Sequence, residues 1–537
     1  MLFGANVANN QPVTTKYLHH AKANGAEVAV VNTFREPGLE RYWVPSIPSS
    51  AMFGTAIADH WFHVHTGGDL AFLLGVLRAL VESNGIDDAF VREQTVGFDE
   101  ARAAALDTEW GTLERHSGTS RGQMYALARL LVDRPNAILV WSMGLTQHTH
   151  GVETIRALVN VGLARGLPGR PFRGLVPIRG HSGVQGGAEV GCVPSIDPAT
   201  ADRWRAVWGF PVPAQRGWTA AEMVDRAAAG DVDAFWMVGG NFLETLPDPT
   251  ASRRALERPR LRVHHDIVLS SAMFVESAGD VVLLPAATRH ESEGGGTETT
   301  TERRIVFSPE IPGRRIGSAR PEWRAFTDVI SRVHPERAAQ IGFESAAAIR
   351  SEIARAVPMY RGIETLAAKG DQIQWGGRTL FADGRFATPD GKARFSVVRL
   401  KPDTTDEDAV PDEHATVASG VSRTFRLSTR RGKQFNSMIQ REIDPLTGAS
   451  RDAVFISPDD LARLNFADGD RVRLQSPHGC YSGRLKSAPM TPGNLEVHWP
   501  EGNVLLSATA IDRESMEPDY NTTVTIAAAA GIADTST

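Results

Sequence analysis

The sequence predicts an α/β protein with two α/β domains built on parallel sheets, followed by a C-terminal β-barrel or sandwich. Three observations support this fold class. Short apolar strands alternate with helices up to about residue 290. Residues 401–420 lack apolar periodicity and are rich in Pro, Asp, Glu and Thr, which is typical of a linker. After this segment, short strands of alternating polarity are separated by turns, a pattern that favours a small barrel or sandwich.

The first predicted α/β domain comprises residues 1–175. Its chain starts with the end of a buried strand, and further apolar strands are predicted at 26–32 and 136–144. Helical spacing with Gly or Pro stop signals predicts helices at 16–26, 69–85, 121–135 and 152–166. Repeated strand–helix units of this length favour right-handed crossovers and a mostly parallel sheet.

The second predicted α/β domain comprises residues 176–400. It contains a helix at 219–232, strands at 233–242 and 260–270, and a further buried strand at 280–288. Residues 421–537 form the predicted barrel or sandwich. A short helix is expected at 457–466, because Ser457 suits the N-cap and is followed by Pro458 and two acids.

The amino-acid composition restricts the classes of function that the protein can have. The length of 537 residues suits several domains or one large enzyme, and the net charge of −6 gives no sign of a nucleic-acid partner. Two cysteines, Cys192 and Cys480, cannot supply a four-cysteine zinc site or iron–sulfur cluster, and so low a content favours the cytoplasm. No apolar run reaches about 18 residues, so no membrane span is expected.

Three loops share a pattern of glycine followed by polar side chains: FGANVANN (3–10), SMGLTQHTHG (142–151) and VGGNFLE (238–244). Ligands of open α/β sheets bind beyond the carboxyl ends of strands, where glycines let backbone N–H groups approach phosphate. Each loop alone could be an ordinary turn, but together they favour two nucleotide-like ligands, with Asn6 and Asn241 hydrogen-bonding a base or sugar. No G-x-G-x-x-G or P-loop motif is present.

Other segments have both a structural and a functional interpretation. Asp69 follows two glycines at the start of a helix, where it could be a cap or could read a guanine edge. The loop 287–304 is dense in Thr and Glu, which suits either an exposed loop or the lining of a ligand cavity. His148 and His150 lack the helical spacing and the partners of a metal pair, so no side-chain metal ligand is assigned. The loop RGHSGVQGGAEVG (179–191) combines five glycines with Arg179 and His181, as if its backbone lay against a large ligand.

An ordered set of blocks resembles the molybdopterin oxidoreductase family, in particular its formate-dehydrogenase-like alpha subunits and their acid-resistance-associated branch. These blocks extend from residue 2 to about residue 525. They are LFGANVANNQPVTTKYLHHAK, VVNTFREPGLERYWVPS, HTGGDLAFLLGVL, WSMGLTQHTHGVETIRAL, PIRGHSGVQGG, GGNFL, DVVLLPAATRHESEGGGTETTTERRI, STRRGKQFNSM, PEGNVL and EPDYN.

The resemblance implies two Rossmann-like α/β domains, a C-terminal barrel of the double-psi type, and a bis-molybdopterin guanine dinucleotide cofactor with molybdenum or tungsten. In this interpretation Asp69 reads guanine. The cofactor-binding residues that it implies are Gly4, Asn6, Asn32, Thr33, Arg35, Gly68, Asp69, Met143, Gly144, Gly239, Asn241, Thr297, Arg303, Thr429, Arg431, Gln434, Asn436, Asn503 and Asn521.

The same resemblance implies a two-electron redox reaction on a small substrate, for instance an anion, with a separate electron acceptor or iron–sulfur partner. Arg179 would hold the anion in bidentate fashion and His181 would bind substrate or move a proton. Family members normally have an upstream region with the metal ligand and iron–sulfur cysteines, which this sequence does not show. We therefore expect a truncated or split subunit. The alternative is a cofactor-binding remnant without turnover.

Overall fold

The computed structural model describes residues 1–179, 183–400, 423–433 and 441–529 of the chain. Contacts within the chain define two compact units. Unit 1 contains Met1–Ile178, Glu244–Pro249 and Phe381–Thr537. Unit 2 contains Arg179–Leu243 and Thr250–Leu380. The domain boundaries expected from the sequence stay predictions.

Nineteen strands lie in the described residues. In chain order they are β1 (Leu2–Phe3), β2 (Ala29–Asn32), β3 (His60–His63), β4 (Thr95–Val96), β5 (Ile138–Trp141), β6 (Gly174–Pro177), β7 (Ala234–Val238), β8 (Leu261–Asp266), β9 (Asp280–Pro285), β10 (Gly296–Thr299), β11 (Arg304–Ser308), β12 (Gln372–Gln374), β13 (Ala393–Arg394), β14 (Thr424–Arg430), β15 (Ala453–Ile456), β16 (Arg471–Gln475), β17 (Cys480–Ser487), β18 (Asn494–His498) and β19 (Asn521–Ala528).

The α-helices of the same ranges are α1 (Val7–Asn10), α2 (Thr14–Ala23), α3 (Pro37–Glu40), α4 (Pro48–Phe53), α5 (Asp69–Glu82), α6 (Asp88–Gln94), α7 (Phe98–Asp107), α8 (Trp110–Ser117), α9 (Arg121–Asp133), α10 (Met143–Thr146), α11 (Gly151–Ala164), α12 (Val184–Glu189), α13 (Pro198–Trp208), α14 (Ala220–Ala229), α15 (Phe242–Thr245), α16 (Pro249–Glu257), α17 (Glu322–Val333), α18 (Ala338–Ile341), α19 (Ala346–Ala356) and α20 (Pro458–Leu464). None of the helices in the described part of the chain is both long and apolar enough to cross a membrane.

The sheet of unit 1 is parallel and has the strand order β3-β2-β1-β5-β6. Its centre is β1, where Leu2 lies opposite Val30 on one side and Val140 on the other. Helix α5 is apolar around most of its circumference because it packs among α7, α8, α9 and α11. Gly75 permits this packing, since a Cβ there would collide with the sulfur of Met124.

The barrel also belongs to unit 1. Six strands close in the order β14-β18-β15-β17-β16-β19, with parallel pairs β14–β18 and β15–β17 among antiparallel ones. Alternate residues fill its interior, and helix α20 begins as predicted, with Ser457 accepting from the Asp460 amide. The barrel contacts the sheet at the loop after β2, where Thr491 N donates to Thr33 O at 3.0 Å and Arg35 N donates to Pro489 O at 2.9 Å.

Unit 2 has a parallel sheet of order β7-β8-β9 and an antiparallel sheet of order β10-β11-β12. The prediction that 280–288 forms a buried strand is wrong in one respect. The strand exists as β9, but most of its side chains are exposed, and Leu283 is 49% exposed. Within the described residues β9 is an edge strand that pairs with β8, and little else packs over its side chains. The fold class itself, with parallel sheets and a closed barrel, is confirmed.

Candidate functional site

Two glycines bring together the loops that follow β1 and β5 in unit 1. Gly144 N donates to Gly4 O at 3.2 Å, and a Cβ on Gly144 would lie 2.6 Å from that oxygen. Gly4 has a φ of +51°, which also favours glycine. These two predicted residues therefore adjoin at the carboxyl edge of the sheet, where the central strands end. Met143 precedes Gly144 as the first residue of α10.

The polar residues after β1 and β2 are largely used by local structure. Asn6 is the N-cap of α1, accepting from Asn9 N at 3.3 Å, and its side chain also hydrogen-bonds Glu36. Asn32 donates to Phe34 O at 2.8 Å. Two other predicted residues lie in the same loop: Thr33 is held by the barrel through its carbonyl, and Arg35 pairs with Glu40 at 2.5 Å.

Asp69 differs from these residues because its carboxylate is buried with an unused acceptor. The N-cap of α5 is Gly68 rather than Asp69, and no side-chain cap hydrogen bond forms there. A Cβ on Gly68 would lie 2.7 Å from Ser117 O, so only glycine fits that position. Within the described residues nothing donates to Asp69 Oδ1, and burial raises the pKa of this carboxyl to about 7. The N-cap residue is therefore Gly68, and the Asp69 carboxyl accepts a hydrogen bond from its own backbone amide while Oδ1 is left without a donor in the described part of the chain.

The barrel contributes four predicted residues within the described ranges. Thr429 Oγ1 donates to Tyr520 O at 3.3 Å, and Asn521 Nδ2 donates to Gln147 O at 2.7 Å. Asn503 is fully buried and donates to Glu244 O at 2.8 Å, while its Oδ1 has no donor among the described residues.

Arg431 follows β14 and has a weak hydrogen-bond acceptor as its partner. Its guanidinium donates to Met143 Sδ at 3.7 Å and lies 4.4 Å from the ring centre of Trp499. A thioether is a poor acceptor, and burial lowers the pKa of this guanidinium. Its N–H groups therefore suit an anionic ligand.

Unit 2 carries the remaining predicted residues. Gly239 and Gly240 have φ of +67° and +80°, with open space where a Cβ would stand. Asn241 is buried and donates to Ser271 Oγ at 2.9 Å, but its Oδ1 lacks a donor in the described part of the chain.

Three further predicted residues of unit 2 are less well placed for ligand binding. Arg303 donates to Trp375 O at 3.1 Å and to Gly377 O at 3.2 Å, so its guanidinium is occupied by a neighbouring loop. Thr297 lies in β10, opposite Phe307. Arg179 is exposed at the start of the unit.

Three other predicted residues, His181, Gln434 and Asn436, lie outside the described residues. His148 Nε2 lies 2.9 Å from Gly144 O, and its ring is 5.4 Å from that of His150. No set of three or more His, Cys, Asp or Glu side chains that could hold a metal ion occurs in the ranges that the structure describes.

Sequence reasoning missed two features of unit 1. The amide of Asn9 is buried, and neither its Nδ2 nor its Oδ1 has a partner among the described residues. The Asn pair at 9 and 10 was a possible signal, but Asn is common in turns. The second feature is a buried ion network in which Arg430 donates to Glu36 Oε2 at 2.8 Å and to Glu496 Oε2 at 3.3 Å.

Comparison with known families identifies the family of this chain. Residues 1–332, more than half of the chain, match the molybdopterin oxidoreductase family, and residues 425–524 match the molydopterin dinucleotide binding domain. The chain belongs to the molybdopterin oxidoreductase family. The resemblance inferred from the sequence blocks is thereby confirmed, and the chain is an oxidoreductase with a dinucleotide-binding barrel.

The alignments with three relatives cover most of the length of this molybdopterin oxidoreductase. Protein YdeP of Escherichia coli (strain K12) is 29% identical over 96% of this chain and 70% of that protein. Uncharacterized oxidoreductase Rv2900c of Mycobacterium tuberculosis (strain ATCC 25618 / H37Rv) is 30% identical over 96% of this chain and 68% of that protein. Formate dehydrogenase H of E. coli (strain K12) is 28% identical over 80% of this chain and 58% of that protein.

The fold is similar to that of a solved structure, acetylene hydratase from Pelobacter acetylenicus. The TM-score is 0.69 at 15% identity, covering 98% of this chain and 77% of the other. At this identity the likeness concerns the fold alone.

Proposed function

We propose that this chain is the catalytic subunit of a formate-dehydrogenase-like enzyme that holds two molybdopterin guanine dinucleotides. The observation that carries the proposal is a buried acceptor without a donor at a predicted ligand residue of each unit. These are Asp69 Oδ1 in unit 1 and Asn241 Oδ1 in unit 2. A buried acceptor is costly when it is unpaired, so each atom suits a ligand that brings N–H or O–H donors.

Asp69 suits the donor edge of guanine, which presents N–H groups that a carboxylate accepts in bidentate fashion. Donors at this position would favour the ionised carboxylate, whose pKa burial otherwise raises to about 7. In unit 2, the amides around Gly239 and Gly240 lie in left-handed conformations that suit close approach of phosphate oxygens. Arg431 would supply a cation for a phosphate or pterin oxygen.

When bound, the cofactor supplies a molybdenum or tungsten centre that exchanges two electrons with the substrate. Arg179 would orient a small anionic substrate by bidentate hydrogen bonds. His181 would bind the substrate or move its proton. The whole enzyme would pass electrons to a separate acceptor or iron–sulfur partner, and the cytoplasm is its expected location.

The test is pterin and metal analysis of the purified chain, followed by a dye-linked assay with formate and related small anions. We expect two pterins and two guanine nucleotides per chain, with one molybdenum or tungsten. Loss of guanine nucleotide from Asp69→Ala and Asn241→Ala, compared with the exposed control Asp88→Ala, would support the two assigned contacts. A chain without pterin would refute the proposal. Stoichiometric pterin without turnover would favour the alternative, a cofactor-binding component that lacks activity.

A further inference from the structure

The ion network of unit 1 lies where the barrel meets the sheet. Arg430 is the last residue of β14 and is 7% exposed. Its guanidinium bonds Glu36, the residue before α3, and Glu496 of β18. The rings of Phe34 and Phe455 lie 4.7 and 4.8 Å from it. One buried cation therefore joins the barrel to the loop after β2.

The network contacts two residues, Asn6 and Arg431, that the family resemblance implies as cofactor-binding. Glu36 accepts a hydrogen bond from the side chain of Asn6, which caps α1 directly after the β1 loop. Arg430 precedes Arg431 in the chain, and its carbonyl accepts from Trp499 N at 2.8 Å, which holds the ring that packs on Arg431. A displacement of Arg430 would therefore move both Asn6 and Arg431.

We propose that Arg430, clamped between Glu36 and Glu496, is a positioning residue that sets the orientation of Asn6 and Arg431 for the dinucleotide. The proposal rests on the proposed function. Stability alone does not account for such a network, because replacing buried ion pairs by uncharged groups of similar volume is often neutral or stabilising. The network instead fixes one arrangement of β14 against the loop, since its hydrogen bonds are directional.

The network contains more acidic groups than basic ones. Two carboxylates share one guanidinium, and Asp444 also faces Glu36 and Arg430. His498 lies beside Arg430, and Arg451 faces His498. Burial raises the pKa of Glu496 to about 7 and raises the pKa of Glu36. Above neutral pH a second buried negative charge would compete for Arg430, so the clamp is expected to loosen as the pH rises.

The first experiment compares Arg430→Met with the uncharged triple variant Glu36→Gln, Arg430→Met, Glu496→Gln. Pterin per chain is measured on each protein as purified, and the unfolding midpoint is measured after the cofactor has been removed, because a bound cofactor would itself stabilise the folded state. Arg430→Met leaves two buried carboxylates unpaired and should lower both quantities. The triple variant should have an unfolding midpoint close to that of wild type. Its pterin content should be about one tenth of the wild-type content. The control is Arg156→Ala, which breaks an exposed pair with Glu514 and should leave pterin unchanged.

The second experiment uses Glu496→Gln, which imitates the protonated acid and is expected to fold. Pterin release from wild-type holoprotein should accelerate between about pH 6 and pH 8, and the variant should show a flatter profile. A triple variant that keeps wild-type pterin, or a Glu496→Gln profile that follows wild type, would overturn the positioning role. Absence of pterin from wild type would instead overturn the proposed function, so the two failures are distinguishable.

Discussion

Replacing Asp69 by Asn should stabilise the cofactor-free chain at high pH while weakening its hold on the dinucleotide. The carboxyl has a reference pKa of 3.8, and burial raises its pKa to about 7. The unfolded chain therefore releases this proton near pH 4, whereas the folded chain keeps it until about pH 7. Because the folded state binds the extra proton, its stability falls as the pH rises through this window.

The size of this effect follows from the shift. At about 1.4 kcal/mol per pKa unit, a change from 3.8 to about 7 corresponds to about 4 kcal/mol of lost stability above pH 7. Asn imitates the protonated acid and does not titrate. The variant should therefore match wild type near pH 4 and be more stable above pH 7, with about 4 kcal/mol as the upper limit.

The assay is urea unfolding of cofactor-free protein at several pH values, with the midpoint of the unit 1 transition as the readout. Asp88→Asn is the matched control, because Asp88 is also the first residue of a helix but is exposed. Its stability profile should follow wild type. Parallel profiles for Asp69→Asn and wild type would refute the raised pKa of this buried carboxyl. In cofactor-loaded protein the same variant should lose guanine nucleotide.

Three further predictions concern other positions. Gly144→Ala should lower the free energy of unfolding by about 1–3 kcal/mol, because the new Cβ would lie 2.6 Å from the backbone oxygen of Gly4. Gly122→Ala, in an open helix position, should instead raise that free energy by up to about 1 kcal/mol, and denaturant unfolding of both variants checks the contrast. Thr491→Val should cost about 1–2 kcal/mol by the same assay, since its hydroxyl contacts two buried carbonyl oxygens. An unchanged midpoint would show that this junction does not stabilise unit 1. Arg179→Ala should abolish dye-linked turnover while pterin content stays close to wild type, and loss of pterin would instead make Arg179 a structural residue.

Local patterns were sufficient to predict the fold class. Strand β2 has three successive side chains buried because it lies inside a parallel sheet, and its apolar sequence indicated this. Strand β16 alternates between exposed and buried residues, as barrel strands do. The exposure of the β9 side chains could not be predicted in the same way. Its sequence is as apolar as that of a central strand, and only the sheet order places it at an edge.

The candidate site shows a sharper limit of sequence reasoning. Glu36 and Arg430 are 394 positions apart, and neither local segment indicates the other as its partner. The family resemblance implied Arg431 as a cofactor-binding residue and gave no role to Arg430, although both guanidiniums lie near the same junction. Their difference is tertiary, because Arg430 meets two carboxylates and Arg431 meets a thioether.

The residues implied by the family resemblance fall into two groups when their hydrogen bonds are compared. Asn32, Asn521 and Arg303 use their side chains within the chain. Asp69, Asn241 and Asn503, in contrast, each keep a buried acceptor that the described residues leave without a donor. Because an unpaired buried acceptor costs about 1–3 kcal/mol, donors of a bound ligand would recover that free energy only in the second group. We therefore expect substitutions in the second group to affect dinucleotide binding directly, whereas those in the first group should act through loop stability.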